Sequence, residues 1–119
     1  MVFVEEIQAL KSKSIEELYK LIGEQLLSET LGIDEFSDEE TKEEAVDWEN
    51  QQRVNLRKSI CGSDPYRAYI ENPEGWDWVM IVTALADLIA GVVVGVSPLT
   101  VAALILKKGL DKLCAEDEQ

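Results

Sequence analysis

An all-α fold is predicted, a compact bundle of about five helices with an apolar helical hairpin at its core. Three observations predict it. Two capping boxes, Ser14-Ile15-Glu16-Glu17 and Ser37-Asp38-Glu39-Glu40, each open a stretch of helical character. Nothing in the 119 residues alternates apolar and polar positions as a half-buried strand does. The C-terminal third is apolar enough to be the centre of the bundle: from Trp78 to Leu106 the only charged residue is Asp87.

The elements follow in order. Phe3, Ile7 and Leu10 fall near one helical face, so Val2 to Leu10 predicts a short helix. Ser14 caps a second helix, Ile15 to Leu31, which turns Ile15, Leu18, Ile22 and Leu26 inward, with Leu21 widening the stripe. Gly32 is its natural stop, because glycine tolerates the left-handed conformation there. Ser37 caps a long third helix to about Ile60. Its acids, Asp38, Glu39, Glu40, Glu43 and Glu44, precede its bases, Arg53, Arg57 and Lys58, the order that complements the helix dipole. Glu49 and Arg53 stand four apart in the favourable order. The apolar stripe of this helix is thin (Ala45, Trp48, Leu56 and Ile60, interrupted by Gln52), so it packs by one edge and shows most of its surface to water.

Cys61-Gly62-Ser63-Asp64-Pro65 breaks that helix and starts a short one, with Ser63 or Asp64 as cap and Pro65 at the first position. Tyr66, Tyr69 and Ile70 would face inward. Asn72-Pro73-Glu74-Gly75 is a turn. Two helices then form an antiparallel hairpin, about Trp76 to Val94 and Pro98 to Cys114. Gly95-Val96-Ser97-Pro98 divides them. Val92-Val93-Val94 is β-prone but lies inside the helical run and is expected to stay helical. The acidic tail from Ala115 is expected to fray. The whole chain reads as one domain: an acidic helical part over residues 1–72 and the apolar hairpin over 76–114.

Composition narrows function. A formal net charge of −13, from 24 acidic and 11 basic residues, repels phosphate backbones and anionic lipid, and excludes nucleic acid as a partner. It suits solubility or a basic partner. With no histidine, the commonest general base and transition-metal ligand is missing. Cys61 and Cys114 form no metal-binding pair, and the N-terminus has no signal-peptide pattern. The expected location is therefore the reducing cytoplasm, with both cysteines free thiols.

No catalytic residue, cofactor-binding residue or metal ligand is predicted. The acids from Asp34 to Asp47 lack the alternating ligands and central glycine of a calcium loop. Di-iron bundles need a Glu-x-x-His motif. No nucleophile elbow, phosphate loop or dinucleotide fingerprint is present. Ile15-Glu16-Glu17 through Ile22-Gly23-Glu24-Gln25-Leu26 resembles the first helix of acyl carrier proteins, and Leu31-Gly32-Ile33-Asp34 resembles the loop before their prosthetic-group serine. Where that family has Asp-Ser-Leu, this chain has Asp34-Glu35-Phe36, so the attachment serine is absent and no carrier function is implied.

Two sites remain. The acidic face of the third helix, Glu40, Glu43, Glu44 and Asp47, with Trp48 as an aromatic anchor and Gln51 beside it, fits an interface for a basic protein. Asp87, alone in its apolar run, is expected to be mostly buried and to bond Lys107 or Lys108 across the hairpin, or a nearby hydroxyl such as Thr83, as a structural ion pair or as a pH switch. Gly91 and Gly95 share a face with Ala84 and Asp87 and match a close-packing motif. The expected function is a non-catalytic protein-interaction module, an adaptor or an inhibitor of a basic partner. The alternative is a membrane-active protein whose hairpin is held soluble by the acidic helices. A spanning helix needs about twenty apolar residues, and Asp87 at its middle costs roughly 3 kcal/mol to insert, so the core reading is favoured.

Overall fold

The computed structural model describes residues 3–31 and 37–115. Among them every regular element is helical: α1 (Phe3–Lys11), α2 (Ile15–Leu31), α3 (Asp38–Ile60), α4 (Asp64–Glu71), α5 (Trp78–Ile89), α6 (Pro98–Lys108) and α7 (Leu110–Ala115), with a single 3₁₀ turn at Pro73–Gly75. The count exceeds about five; the short helices expected near Phe3 and after Pro65 form as α1 and α4, and Gly109 divides the last predicted helix in two. The expected stop at Gly32, the loop through Asp34-Glu35-Phe36 and the tail beyond Ala115 lie outside the described residues.

Both capping boxes form. Ser14 N–H donates to Glu17 Oε1 at 2.8 Å while Glu17 N–H donates to Ser14 Oγ at 3.1 Å. That backbone bond holds the Glu17 carboxyl below its ordinary range. Ser37 and Glu40 repeat the arrangement at the start of α3. Ser63 caps α4 and Ser97 caps α6, each followed by proline in the first turn. Asp77 caps α5 by accepting from Met80 N–H at 2.8 Å.

α6 is the most enclosed element. Thr100, Val101, Ala102, Ala103, Leu104 and Ile105 are buried in unbroken succession, so no face of that stretch reaches water. α2 and α5 both pack on α6, and α1 packs on both α5 and α6. Lys107, near the end of α6, lies 5.9 Å from the Trp78 ring at the start of α5, so the two helices run antiparallel. α3 lies on α2 through Thr41 and Ala45 and on the core through Leu56 and Ile60. The helix pairs are also tied by polar bonds. Trp78 Nε1–H donates to the Ile7 carbonyl at 2.8 Å, Ser59 Oγ donates to the Leu88 carbonyl at 3.1 Å, and Ser97 N–H donates to Gln25 Oε1 at 2.8 Å. Each bond fixes one helix on another.

Several expectations are corrected. Val92, Val93 and Val94 are not helical; α5 ends at Ile89, and the amides of Val92 and Val93 both return to the Ile89 carbonyl at 2.9 and 3.0 Å. Three β-branched residues between two glycines carry a low helix propensity, and leaving the helix sends Val93 and Val96 into the core. Gly91 is no close-packing site: a Cβ there would meet only the Leu88 carbonyl, at 3.6 Å. Gly95 serves the turn, at φ 83°. The close helix approach is at Gly23 of α2, where a Cβ would collide with the Thr41 backbone of α3. Ile15 and Ile70 face outward, while Tyr19 is buried.

The last helix is also two. Gly109 has φ +112°, outside the helical region, and the chain turns so that α7 meets α3. Cys61 and Cys114 are consequently not free thiols: their Cα atoms stand 5.6 Å apart and their sulfurs are bonded. The 53-residue separation and the predicted straight helix to Cys114 concealed this pairing. No helix among the described residues is long and apolar enough to cross a membrane.

Candidate functional site

The outer face of α3 carries the predicted interaction residues. Glu40, Glu43, Glu44, Asp47 and Gln51 are all exposed, on a helix whose opposite edge supplies Thr41, Ala45, Leu56 and Ile60 to the core. The three-to-four-residue spacing of the exposed acids puts them along one stripe. Two members of the predicted set have other duties. Glu40 is committed to the capping box, its Oε1 accepting from Ser37 N–H at 3.1 Å. Trp48 is half-buried and packs against the core, so it is not a free-standing anchor. Toward α2 the acidic helix is held by two exposed ion pairs, Lys20–Asp38 at 3.0 Å and Lys42–Glu16 at 3.1 Å. The first holds the Lys20 ammonium above its ordinary pKa, chiefly through the hydrogen bond to Asp38. Glu43, Glu44 and Asp47 are left facing solvent.

The predicted pairing of Asp87 with Lys107 or Lys108 is not formed. Asp87 is exposed. Lys107 Nζ instead donates to the Lys11 carbonyl at 2.7 Å, capping the end of α1. Lys108 Nζ donates to both carboxylate oxygens of Glu49, at 3.0 Å each, and to Tyr19 Oη at 2.6 Å. The physical reason is rotational. α6 is buried all round, so its lysines emerge from the core only at its last turn, where α1, α2 and α3 offer acceptors; Asp87 sits on the solvent side of α5.

Tyr19, Glu49 and Lys108 form a closed polar triangle where α2, α3 and α6 meet. Tyr19 Oη donates to Glu49 Oε1 at 2.7 Å, and the Lys108 ammonium lies 5.3 Å from the Tyr19 ring centre. Burial raises the Tyr19 pKa; the Lys108 hydrogen bond opposes that, and Glu49 reinforces it. Burial alone would lower the Lys108 pKa, but its bonds to Tyr19 and Glu49 outweigh this and hold the ammonium above its ordinary range. The cleft beside the triangle, lined by Glu49, Leu56, Ile105 and Lys108 among others, has a volume of about 30 Å³. That is water-sized, well below the range of ligand pockets. The triangle therefore joins three helices. Sequence reasoning missed it: Tyr19 is one residue from the core position Leu18, Glu49 is one residue from Trp48, and the partners are 30, 59 and 89 residues apart.

Comparison with known proteins finds no matching family model, no similar curated protein and no similar solved structure. Among the described residues there is also no group of three or more Cys, Asp or Glu side chains arranged to hold a metal ion.

Proposed function

We propose that the protein is a non-catalytic interaction module, an adaptor or inhibitor that binds a basic protein through the outer face of α3. The observation that carries this reading is that Glu43, Glu44 and Asp47 are exposed together on a helix whose other edge is anchored in the core. Solvent-facing acids on a rigid element steer a basic partner without the cost of ordering the backbone. Gln51 and Asn50 extend the stripe with exposed hydrogen-bonding groups.

In this reading the α5–α6 pair is a permanent core and not a latent membrane device. Two features support that. α5 has 12 residues and α6 has 11, short of the about twenty that span a bilayer. The Cys61–Cys114 disulfide ties the segment after α6 to the end of α3, which restrains the hairpin from leaving the bundle. The same disulfide supports an oxidising compartment in place of the cytoplasm expected from the sequence.

The test is affinity capture from the native source at low and high salt, with the wild-type chain and with a Glu43→Lys, Glu44→Lys, Asp47→Lys triple variant. Glu40 is left in place because it caps α3. The reading expects a basic protein retained by the wild type at low salt, released at high salt and missed by a variant with unchanged circular dichroism. A partner that is not basic, or that the variant retains equally, overturns it.

A further inference from the structure

Asp87 breaks a local rule without an evident reason. It lies in the last turn of α5, where the helix dipole disfavours negative charge, and that turn holds no basic residue. It is exposed, and no hydrogen bond or ion pair among the described residues reaches it. The nearby amides at the start of α6 do not serve it: Ser97 N–H donates to Gln25 Oε1 and Thr100 N–H to Ser97 Oγ. Such uncompensated breaks of local preference cluster at functional positions.

What Asp87 does face is a groove. It has a volume of about 290 Å³ and lies between α1, α5 and the start of α6. Ile7 and Ala86 are its buried floor, Pro98 and Leu99 form a half-buried apolar wall, and Glu6 and Asp87 are its only charged lining residues, both exposed at the rim. The size suits one or two side chains, at the lower limit of ligand pockets. An apolar floor under two exposed carboxylates complements one kind of occupant, a cationic head beside an apolar body.

We propose that this groove docks a polypeptide segment presenting arginine or lysine next to a large aliphatic side chain, with the cation on Asp87 and Glu6 and the aliphatic group on Ile7, Ala86 and Leu99. The site is on different elements from the α3 stripe and stands or falls separately from it.

The probe is a blocked Leu-Arg-Leu peptide titrated at physiological salt into the isotope-labelled full chain, read by amide shifts. Shifts are expected at Asp87, Ala90 and Leu99. Asp87→Asn should weaken binding about fivefold, the upper range for an exposed ion pair, and Asp87→Asn with Glu6→Gln by more than tenfold. A peptide with citrulline for arginine, or with serine for leucine, should bind more weakly. Ala90→Phe, at an exposed lining position, should block the groove. Asp87→Asn should also melt at or above the wild-type temperature, since a charge opposed by the dipole is removed. That pairing of weaker binding with equal or greater stability is the signature of a binding role. No binding, shifts confined to α3, indifference to Asp87→Asn, equal binding of the serine peptide, or a lower melting temperature for Asp87→Asn each overturns the proposal.

Discussion

Lys108 Nζ stands 3.0 Å from both carboxylate oxygens of Glu49, closing α6 onto α3 across 59 residues of sequence. Tyr19 completes the contact from α2. Glu49 is the more buried partner, its side chain 13% exposed against 32% for Lys108. Removing Lys108 therefore takes two charge-assisted hydrogen bonds from a largely buried carboxylate. Lys108→Ala is expected to destabilise the fold by about 1–3 kcal/mol. A double-mutant cycle with Glu49→Ala should give a coupling energy above the about 0.2–1 kcal/mol of surface pairs. Chemical denaturation measures both. A coupling near zero would mean that the triangle contributes nothing beyond its separate contacts.

Alkaline pH should open the same contact. The folded-state pKa of Lys108 is raised, so the ammonium's contribution to stability is complete below about pH 10 and is lost as pH rises through the raised value. The Tyr19 pKa is raised as well, chiefly by burial, so the fold prefers the neutral phenol and loses that preference over the same range. The two effects share a sign. The melting temperature is expected to fall steeply above about pH 10, and more gently in Glu49→Gln, where Lys108 lacks its counter-charge. Thermal melts between neutral and strongly alkaline pH check this.

Gly23→Ala tests the α2–α3 contact. Alanine is ordinarily the better helix former by about 1 kcal/mol. Here its methyl would collide with the Thr41 backbone, which has no rotamer to yield. A net loss of about 3 kcal/mol is expected, whereas Gly91→Ala, whose methyl would meet only the Leu88 carbonyl at an ordinary 3.6 Å, should be near neutral. Equal effects at the two glycines would show that α2 and α3 are not so closely apposed.

The Cys61–Cys114 crosslink closes a loop of 53 residues. Chain-entropy reasoning puts its contribution at about 4 kcal/mol. The protein unfolded without reductant should show no titratable thiol, and Cys61→Ser with Cys114→Ser should melt at a lower temperature. Two free thiols in the protein as isolated from its source would refute the crosslink and restore the cytoplasmic reading.

What the sequence alone determined is local chemistry and periodicity. The capping boxes at Ser14 and Ser37, the cap and proline pairs at Ser63–Pro65 and Ser97–Pro98, the exposed acids of α3 and the helical class of the described residues were all legible, because each rests on residues within one or two turns of one another. What only the tertiary structure decided is which distant groups meet. Asp87 looked buried because its neighbours in sequence are apolar, but α5, unlike α6, turns one side to solvent, and burial is set by what lies against each face. Lys108 found Glu49 and Tyr19, not Asp87, because α2 and α3 close over the end of α6. Cys114 reached Cys61 because one glycine, Gly109, took a positive φ and turned the chain by an angle that no periodicity records. Periodicity reports which side of a helix is apolar; it carries no information on which helix that side will meet.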